Sequence, residues 1–294
     1  MKQGIGLFIA VALMLLCGGA AAAQEPVKTF VSILPQAYFV EQIGGHLVDV
    51  DVLVGPGQSP ATYEPTPKQM ARLGRSQIYF RIGTPFEKGF IDTISSTFKN
   101  VEVIDTRRGV PLRRFVLDAP EDGHGAHAQR GGIDPHIWLD PMRVKIQAVT
   151  ICQALCNHDP AHSSTYVKNL QAFLQALDAI DVRVAAVLAP FTGQKIFVFH
   201  PAFGYFCDAY GLTQIPIETE GKEPSPKQLA GLINRAQKDG VKFLFVQPQF
   251  AGKSPDAIAR VIGGTVVPLN PLPRDYIANL ERMAEAIGGS MTAP

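Results

Sequence analysis

The sequence carries almost no net charge and few cysteines. Its 27 lysine and arginine residues are balanced by 26 aspartate and glutamate residues, and it holds only 4 cysteines. Without an excess of positive charge, the chain is not expected to bind nucleic acid or an anionic membrane surface. The sequence also lacks an H-E-x-x-H helix, a G-x-S-x-G turn and a glycine-rich phosphate loop. These absences argue against a zinc hydrolase or another hydrolytic enzyme that uses those motifs.

Long apolar runs are confined to the N-terminus. Lys2 precedes an apolar run over residues 5–16, and small residues follow over 18–23. This order is typical of a secretory signal peptide, and the run is shorter than the roughly 20 residues that span a membrane. We therefore expect residues 1–23 to be a signal peptide and the mature protein to be periplasmic.

The cysteines leave two questions open. Cys17 allows a lipid anchor as a second interpretation of the N-terminus, although Leu16 stands where lipidation requires a small residue. Cys152, Cys156 and Cys207 remain after cleavage, and an odd number leaves at least one without a partner in the chain. Cys152 and Cys156 share one face of a predicted helix, where apolar neighbours favour buried structural cysteines over metal ligands.

The first half of the mature chain alternates short β-rich runs with helical patterns. Strands are predicted over 29–33, 48–54, 77–81 and 101–105, and helices over 38–44, 67–73 and 87–98. Strands that alternate with helices indicate βαβ units and a mostly parallel sheet. We assign residues 24–162 to an N-terminal α/β lobe.

One long helix separates this lobe from a second α/β region. Apolar residues recur every three or four positions over 163–188, which indicates an amphipathic helix. Beyond it, strands are predicted over 195–199, 213–217, 243–246 and 265–267, and helices over 202–210, 226–238, 254–262 and 275–287. The predicted fold has two lobes with mostly parallel sheets, joined by a linking helix at 163–190, with the C-terminal lobe at 191–294.

Residues 118–133 interrupt the pattern with Asp, Gly, His and Ala. We expect a mobile surface loop there, because no periodic apolar face is present. Histidine-rich segments are a compositional sign of metal binding. His124 and His127 are therefore candidate loop ligands, which either collect ions in transit or reach into a site elsewhere; an ordinary solvated loop is the alternative.

Two histidines stand at positions suited to a metal site. His136 lies in DPHIWLDP (134–141), where flanking prolines hold it outside regular structure. His200 follows the apolar strand that ends at Phe199, and ligands of parallel sheets bind beyond the carboxyl ends of strands. Either histidine alone could be structural. Because each half of the chain supplies one from a comparable loop, we expect a site between the lobes.

Two further residues are weaker candidates. Glu64 lies in the proline-rich loop SPATYEPTP (59–67), where it could bind a metal, although capping of the helix that follows is the favoured interpretation. Asn270 lies in VVPLNPL (266–272), again at the end of a strand. Its amide oxygen is a neutral and weaker donor than a carboxylate.

These segments together carry a resemblance to a known family. The chain resembles the zinc- and manganese-type substrate-binding proteins of ABC transporters over nearly the whole mature sequence. The motifs run in order: SPATYEPTP (59–67), DPHIWLDP (134–141), the long helix, HPAFGYFCDAYGL (200–212), EPSPKQL (223–229), FVQPQF (245–250) and VVPLNPL (266–272).

The resemblance implies a metal held in the cleft between two lobes by four ligands from four loops. His136 and His200 match two of those ligands. Ala61 stands where the family usually has a histidine, and Asn270 where it usually has an aspartate. The remaining ligands are therefore left open among Asn270, Glu64, water and the loop.

The expected function is capture of a divalent transition metal for an ABC importer, by a monomer that is not an enzyme. Zinc (Zn²⁺) is the expected ion, with Mn²⁺ and Fe²⁺ as alternatives; two imidazoles without a matched carboxylate argue against manganese, which favours oxygen donors. The membrane permease is the expected partner. Competing hypotheses are a degenerate member that serves as an adhesin or scaffold without tight metal binding, and a zinc hydrolase.

Overall fold

The structure, a computed structural model, describes residues 25–117, 129–218 and 226–292. Two four-stranded parallel sheets lie in two α/β lobes, and a long helix separates them along the chain. The predicted fold class is confirmed. Within the described residues, no helix has the length and apolar character that a membrane crossing requires. The expected signal peptide, including Cys17, lies outside the described residues.

The N-terminal sheet has the strand order β2-β1-β3-β4. Its strands are β1 (Val27–Ile33), β2 (Val48–Val54), β3 (Ile78–Arg81) and β4 (Glu102–Asp105), and its helices are α1 (Leu34–Gly44), α2 (Pro67–Leu73) and α3 (Glu87–Thr97). Strand β1 is central and buried at almost every position. Such burial on both faces is typical of a parallel sheet covered by helices on both sides.

One helix start and one helix cap differ from the sequence-based prediction. Helix α1 begins at Leu34, with Pro35 in its first turn; proline is favoured there because the first backbone N–H groups of a helix have no intrahelical acceptor. Helix α2 is capped by Thr66 and Gln69, which form a reciprocal capping box. The interpretation of Glu64 as the cap is therefore wrong.

The segment before the long helix contains a feature that the sequence did not predict. Strands β5 (Arg114–Leu117) and β6 (Gln129–Ile133) pair antiparallel, so residues 129–133, which were expected to belong to the loop, form a strand. The glycine pair in QRGGI gives no alternation of apolar residues, so the sequence carries no signal for a strand there. Helix α4 (Pro141–His158) follows, capped by Asp140, whose side chain accepts from the backbone N–H groups of Met142 and Arg143.

Helix α5 (Ser163–Leu188) is the predicted long helix, and it packs against α1, α4 and α9. Its buried face includes Phe173, Leu177 and Ile180. Full burial of such side chains contributes about 1.5–3 kcal/mol each. The apolar core runs without interruption from the N-terminal sheet to this helix and to α9, so α5 is built into the core of both lobes.

The C-terminal sheet has the order β10-β9-β7-β8. Its strands are β7 (Lys195–Val198), β8 (Thr213–Pro216), β9 (Phe243–Val246) and β10 (Thr265–Pro268), and its helices are α6 (Gly204–Tyr210), α7 (Pro226–Lys238), α8 (Lys253–Ile262) and α9 (Tyr276–Thr292). Strands β7 and β9 are neighbours, but β7 continues to β8 on one side and β9 to β10 on the other. Such a reversal of strand order opens a crevice at the carboxyl ends of the strands, where ligands of open α/β sheets bind.

Candidate metal centre

His136 lies between β6 and α4, immediately before a single 3-10 turn. Its ring packs against Trp138, with centroids 5.1 Å apart, and against Phe115 at 6.3 Å. The indole N–H of Trp138 donates a 2.8 Å hydrogen bond to the carbonyl oxygen of Pro271. The histidine is therefore held in an aromatic environment, and Trp138 ties that environment to the loop after β10 in the other lobe.

His200 lies two residues beyond the end of β7, at the reversal of strand order in the C-terminal sheet. The buried side chain of Gln247, which follows the neighbouring strand β9, holds the backbone of His200 on both sides. Its Oε1 atom accepts from the backbone N–H at 3.3 Å, and its Nε2 atom donates to the backbone carbonyl at 2.9 Å. The ring stacks on Phe250, with centroids 4.9 Å apart. The backbone and the ring of His200 are thus both fixed.

The structure brings the two predicted histidines together. The ring centroids of His136 and His200 are 5.4 Å apart, and the ring planes meet at 76°. Two imidazoles that share one tetrahedral ion at zinc–nitrogen distances of about 2.0–2.1 Å have centroids about 5 Å apart. The observed spacing therefore fits two rings bound to a single ion.

Each histidine has a carboxylate at its Nδ1 atom. Asp134 Oδ1 lies 2.7 Å from Nδ1 of His136, and Glu218 Oε2 lies 3.0 Å from Nδ1 of His200. A carboxylate accepts hydrogen bonds, so each Nδ1 carries the proton and each Nε2 keeps its lone pair. This carboxylate–histidine arrangement is the one that orients metal-binding imidazoles and increases their basicity.

Burial also changes the protonation of His136. Loss of solvation lowers its pKa below the usual value, and this effect outweighs the opposing hydrogen bond and negative charge of Asp134. The positive charge of Arg113 and the proximity of His200 lower the pKa further. The neutral ring, which is the form that binds metals, is therefore favoured at neutral pH.

The comparisons with known proteins agree with this geometry. Residues 30–289 match the family ZnuA, described as zinc-uptake complex component A, periplasmic. The chain belongs to the ZnuA family.

Individual relatives share most of their length with the chain. A putative metal-binding protein of Chlamydia muridarum is 30% identical over 263 residues, which cover 88% of this chain and 90% of that protein. A crystal structure of ZnuA superposes with a TM-score of 0.82 at 40% identity, covering 90% of this chain and 99% of that one. A zinc-bound ZnuA deletion mutant gives a TM-score of 0.80 at 39% identity, covering 92% of this chain and 100% of that one.

The family membership places the chain among zinc-type, periplasmic or extracytoplasmic substrate-binding proteins of ABC transporters. Members of this family are transport proteins and not enzymes. The resemblance seen in the sequence is thus confirmed at the level of the family and the fold.

Asn270 lies close to the His136 environment, and its side-chain oxygen already accepts one hydrogen bond. It follows β10 and is partly buried, next to Pro271, which accepts from Trp138. Its side-chain oxygen accepts a 3.1 Å hydrogen bond from the backbone N–H of Leu272, and its backbone carbonyl accepts from Asn279. An oxygen has a second lone pair, so this bond leaves a metal contact open.

The structure gives less support to the other candidate ligands. Glu64 is exposed in the loop before α2, and Ala61 in the same loop is partly buried. His124 and His127 lie outside the described residues, so their predicted role remains a prediction. Within the described ranges, no three histidine, cysteine, aspartate or glutamate side chains are grouped so that they could hold one metal ion.

Asp134 and Glu218 contact the two candidate histidines, and sequence reasoning gave neither of them a role. Asp134 was part of the quoted DPHIWLDP motif but was given no role. Glu218 stands two residues after the end of β8, and the rule that singled out His200 after β7 applies to it equally. Glu218 is 3% exposed, and its Oε1 atom has no hydrogen-bond partner among the described residues.

The three described cysteines are not joined by disulfides. Cys152 and Cys156 share a face of α4 as predicted, with sulfur atoms 3.9 Å apart. Burial raises the pKa of the Cys152 thiol to about 12. Since a thiolate is the form that binds metals, the raised pKa disfavours Cys152 as a metal ligand.

Proposed function

We propose that this protein captures a divalent transition metal ion, Zn²⁺ first, between His136 and His200 and delivers it to the membrane permease of an ABC importer. The observation that carries the proposal is the 5.4 Å separation of the two ring centroids, with a carboxylate on Nδ1 of each ring. Two fixed imidazoles, each with its Nδ1 atom held by a carboxylate, are suited to a borderline ion such as zinc. Mn²⁺ and Fe²⁺ are the alternative ions.

The remaining ligands are expected to be weak oxygen donors. Ala61 has no donor atom, and Asn270 offers a neutral amide oxygen. Closed zinc sites use four nitrogen, sulfur or carboxylate ligands, so a site with two imidazoles is expected to keep water in its other positions. We therefore expect zinc binding that is real but weaker than that of a site with four side-chain ligands.

A competition titration tests the proposal directly. The metal-stripped mature protein is titrated with zinc against a chromophoric chelator, beside His136→Ala, His200→Ala and a matched control, His46→Ala. His46 is exposed in the turn after α1. We expect one zinc per chain, at least about tenfold weaker binding in each cleft variant and no change in the control.

Repeating the titration with Mn²⁺ and Fe²⁺ tests the choice of ion. The nitrogen ligands favour zinc over both, because affinity for imidazole-containing sites rises from Mn²⁺ through Fe²⁺ to the later metals. Tighter binding of Mn²⁺ than of Zn²⁺ would show that oxygen donors dominate the site.

Delivery to an importer requires export and a partner. We propose residues 1–23 as the signal peptide, 24–162 and 191–294 as the two lobes, 163–190 as the linking helix, and a monomeric mature protein. In membrane vesicles that contain the cognate permease and ATPase, zinc-loaded protein should stimulate ATP hydrolysis more than the His136→Ala variant does. Equal stimulation by both proteins would mean that docking to the permease does not depend on zinc bound at His136.

One observation favours a second candidate function. The lack of three grouped metal-binding side chains in the described ranges also suits a degenerate member that acts as an adhesin or scaffold. That alternative predicts no zinc binding, and no stabilisation of the folded protein by zinc in a thermal unfolding scan. Any ligand that binds only the folded state raises the unfolding temperature, so the scan distinguishes the two functions.

A further inference from the structure

A partly buried arginine connects the His136 segment to the opposite lobe. Arg113, just before β5, donates from Nη1 to Oδ2 of Asp134 at 3.0 Å, and its Nε atom lies 3.0 Å from Oδ2 of Asp208. Asp134 is fully buried, and its other oxygen holds His136. Asp208 lies on α6, the helix that follows His200. One guanidinium thus joins the carboxylate behind one histidine to the helix behind the other.

The backbone of Arg113 is fixed by the same helix. Its N–H donates to the hydroxyl oxygen of Tyr205 at 2.9 Å, and that hydroxyl donates to the carbonyl oxygen of Asp134 at 3.0 Å. The N–H of Asp134 donates to the carbonyl oxygen of Arg113 at 3.1 Å. These three bonds form a closed ring that joins Arg113, Asp134 and Tyr205. The backbone that carries the charged side chains of Arg113 and Asp134 is therefore held rigidly.

The first residue of α6 leaves room for this arrangement. A Cβ atom at Gly204 would lie 1.3 Å from Nη1 of Arg113 and 2.8 Å from Oδ2 of Asp134. No side chain is compatible with the guanidinium in its present position. The glycine is needed here for the absence of a side chain, since it is not among the glycines with positive φ.

We propose that Arg113 is a positioning residue that holds the imidazole of His136 in the metal-binding orientation, through Asp134, and couples that orientation to the C-terminal lobe through Asp208. This inference rests on the proposed metal site. Arg113 lies behind Asp134 and does not contact the ion. Without the guanidinium, Oδ2 of Asp134 is a buried carboxylate oxygen that has lost its charged partner, and such an oxygen is strongly driven to find a new hydrogen-bond donor. A rotation of the carboxylate toward a new donor weakens its hold on Nδ1 of His136.

The test uses three variants of the full mature protein and two readouts. Arg113→Met removes the charge, Arg113→Lys keeps the charge without the fork that reaches two carboxylates, and Asp208→Asn alters only the half-exposed partner. Zinc affinity is measured by chelator competition. The tautomer of His136 in the metal-free protein is measured by ¹⁵N NMR of the imidazole nitrogens.

We expect wild-type His136 to hold its proton on Nδ1 and Arg113→Met to show a mixture of tautomers. Zinc binding should weaken by about tenfold or more in Arg113→Met, less in Arg113→Lys, and by about threefold in Asp208→Asn, whose ion pair is partly exposed. Arg282→Met, which removes an exposed arginine of α9 that pairs with Asp275, should change neither readout.

The outcomes separate this inference from the proposed function. If the cleft histidines bind zinc but Arg113→Met keeps both wild-type affinity and a single Nδ1 tautomer, the positioning role is overturned and the metal site stands. If the wild-type protein binds no zinc, the proposed function fails, and the tautomer measurement still decides whether Arg113 orients His136. Asp208→Asn removes no buried group, so it keeps the question answerable if Arg113→Met does not fold.

Discussion

Glu218 accepts a 3.0 Å hydrogen bond from Nδ1 of His200, and the two residues follow neighbouring parallel strands. In the other lobe, Asp134 accepts a 2.7 Å hydrogen bond from Nδ1 of His136, and these two residues lie in one segment between β6 and α4. Each lobe therefore contributes a histidine with a carboxylate behind it. The two pairs meet at the interlobe cleft with their rings 5.4 Å apart.

Removing the charge of Glu218 should weaken metal binding without removing a ligand. Glu218→Gln keeps the shape of the side chain but replaces a charged acceptor by a neutral one, which makes the His200 imidazole less basic. We expect zinc affinity to fall by about tenfold, as measured by chelator competition. Glu285→Gln, an exposed change on α9, is the matched control; equal affinities in the two variants would rule out a role for the carboxylate.

Restoring a carboxylate at position 270 should strengthen metal binding. Asn270→Asp replaces a neutral oxygen by an anionic one in the loop that Trp138 ties to His136. We expect at least about tenfold tighter zinc binding, since carboxylates are common zinc ligands. Asn234→Asp, an exposed change on α7, controls for net charge. An unchanged affinity in Asn270→Asp would place position 270 outside the metal site.

The lowered pKa of His136 predicts how stability depends on pH. Because the folded-state pKa lies below the ordinary 6.5, the unfolded chain binds more protons than the folded protein as the pH falls through and below that value. The contribution of His136 to the free energy of unfolding is therefore fully present above pH 6.5, and it is lost as the pH falls toward the folded-state pKa.

Denaturant unfolding of the metal-free protein at several pH values between about 7.5 and 5 measures this effect. The His136→Asn variant lacks the titrating group, so its stability should fall less steeply with acid than that of the wild type. His46→Asn, at an exposed site, should retain the wild-type slope. Equal slopes for wild type and His136→Asn would contradict the buried, neutral state of the ring.

The cysteines should differ in reactivity. Burial raises the pKa of Cys152 to about 12 and also raises the pKa of Cys207, whereas Cys156 is only half-buried. A thiol reagent at pH 8 should therefore modify Cys156 first in the folded mature protein, because thiolate fraction and access determine the rate. Mass spectrometry of digested protein identifies the labelled site. Labelling of Cys207 before Cys156 would contradict the packing around α6.

The periodic parts of the fold were predictable from sequence. Buried strands such as β1 and the apolar stripe of α5 carry their burial pattern in the residues themselves. The β5–β6 pair was not, because its strands are defined by backbone pairing. The start of α1 was misplaced because Pro35 was taken as the end of the preceding strand, although proline also suits the first turn of a helix.

The candidate site was predictable only in part. His136 and His200 stand out because their residue type and their position in the chain both indicate a metal ligand. Asp134 and Glu218 do not, because a carboxylate near a strand end has many possible roles, and only the folded structure shows which nitrogen it contacts. The contribution of Arg113 depends on Gly204 and Asp208, which are distant in sequence and meet only across the lobes.

The central claim is that one ion binds both cleft histidines. The most direct measurement is a crystal structure of the zinc-loaded mature protein with anomalous difference density recorded at the zinc absorption edge. The account predicts one dominant peak about 2.0–2.1 Å from Nε2 of His136 and of His200. A dominant peak bound by neither histidine, or by only one of them, would contradict it.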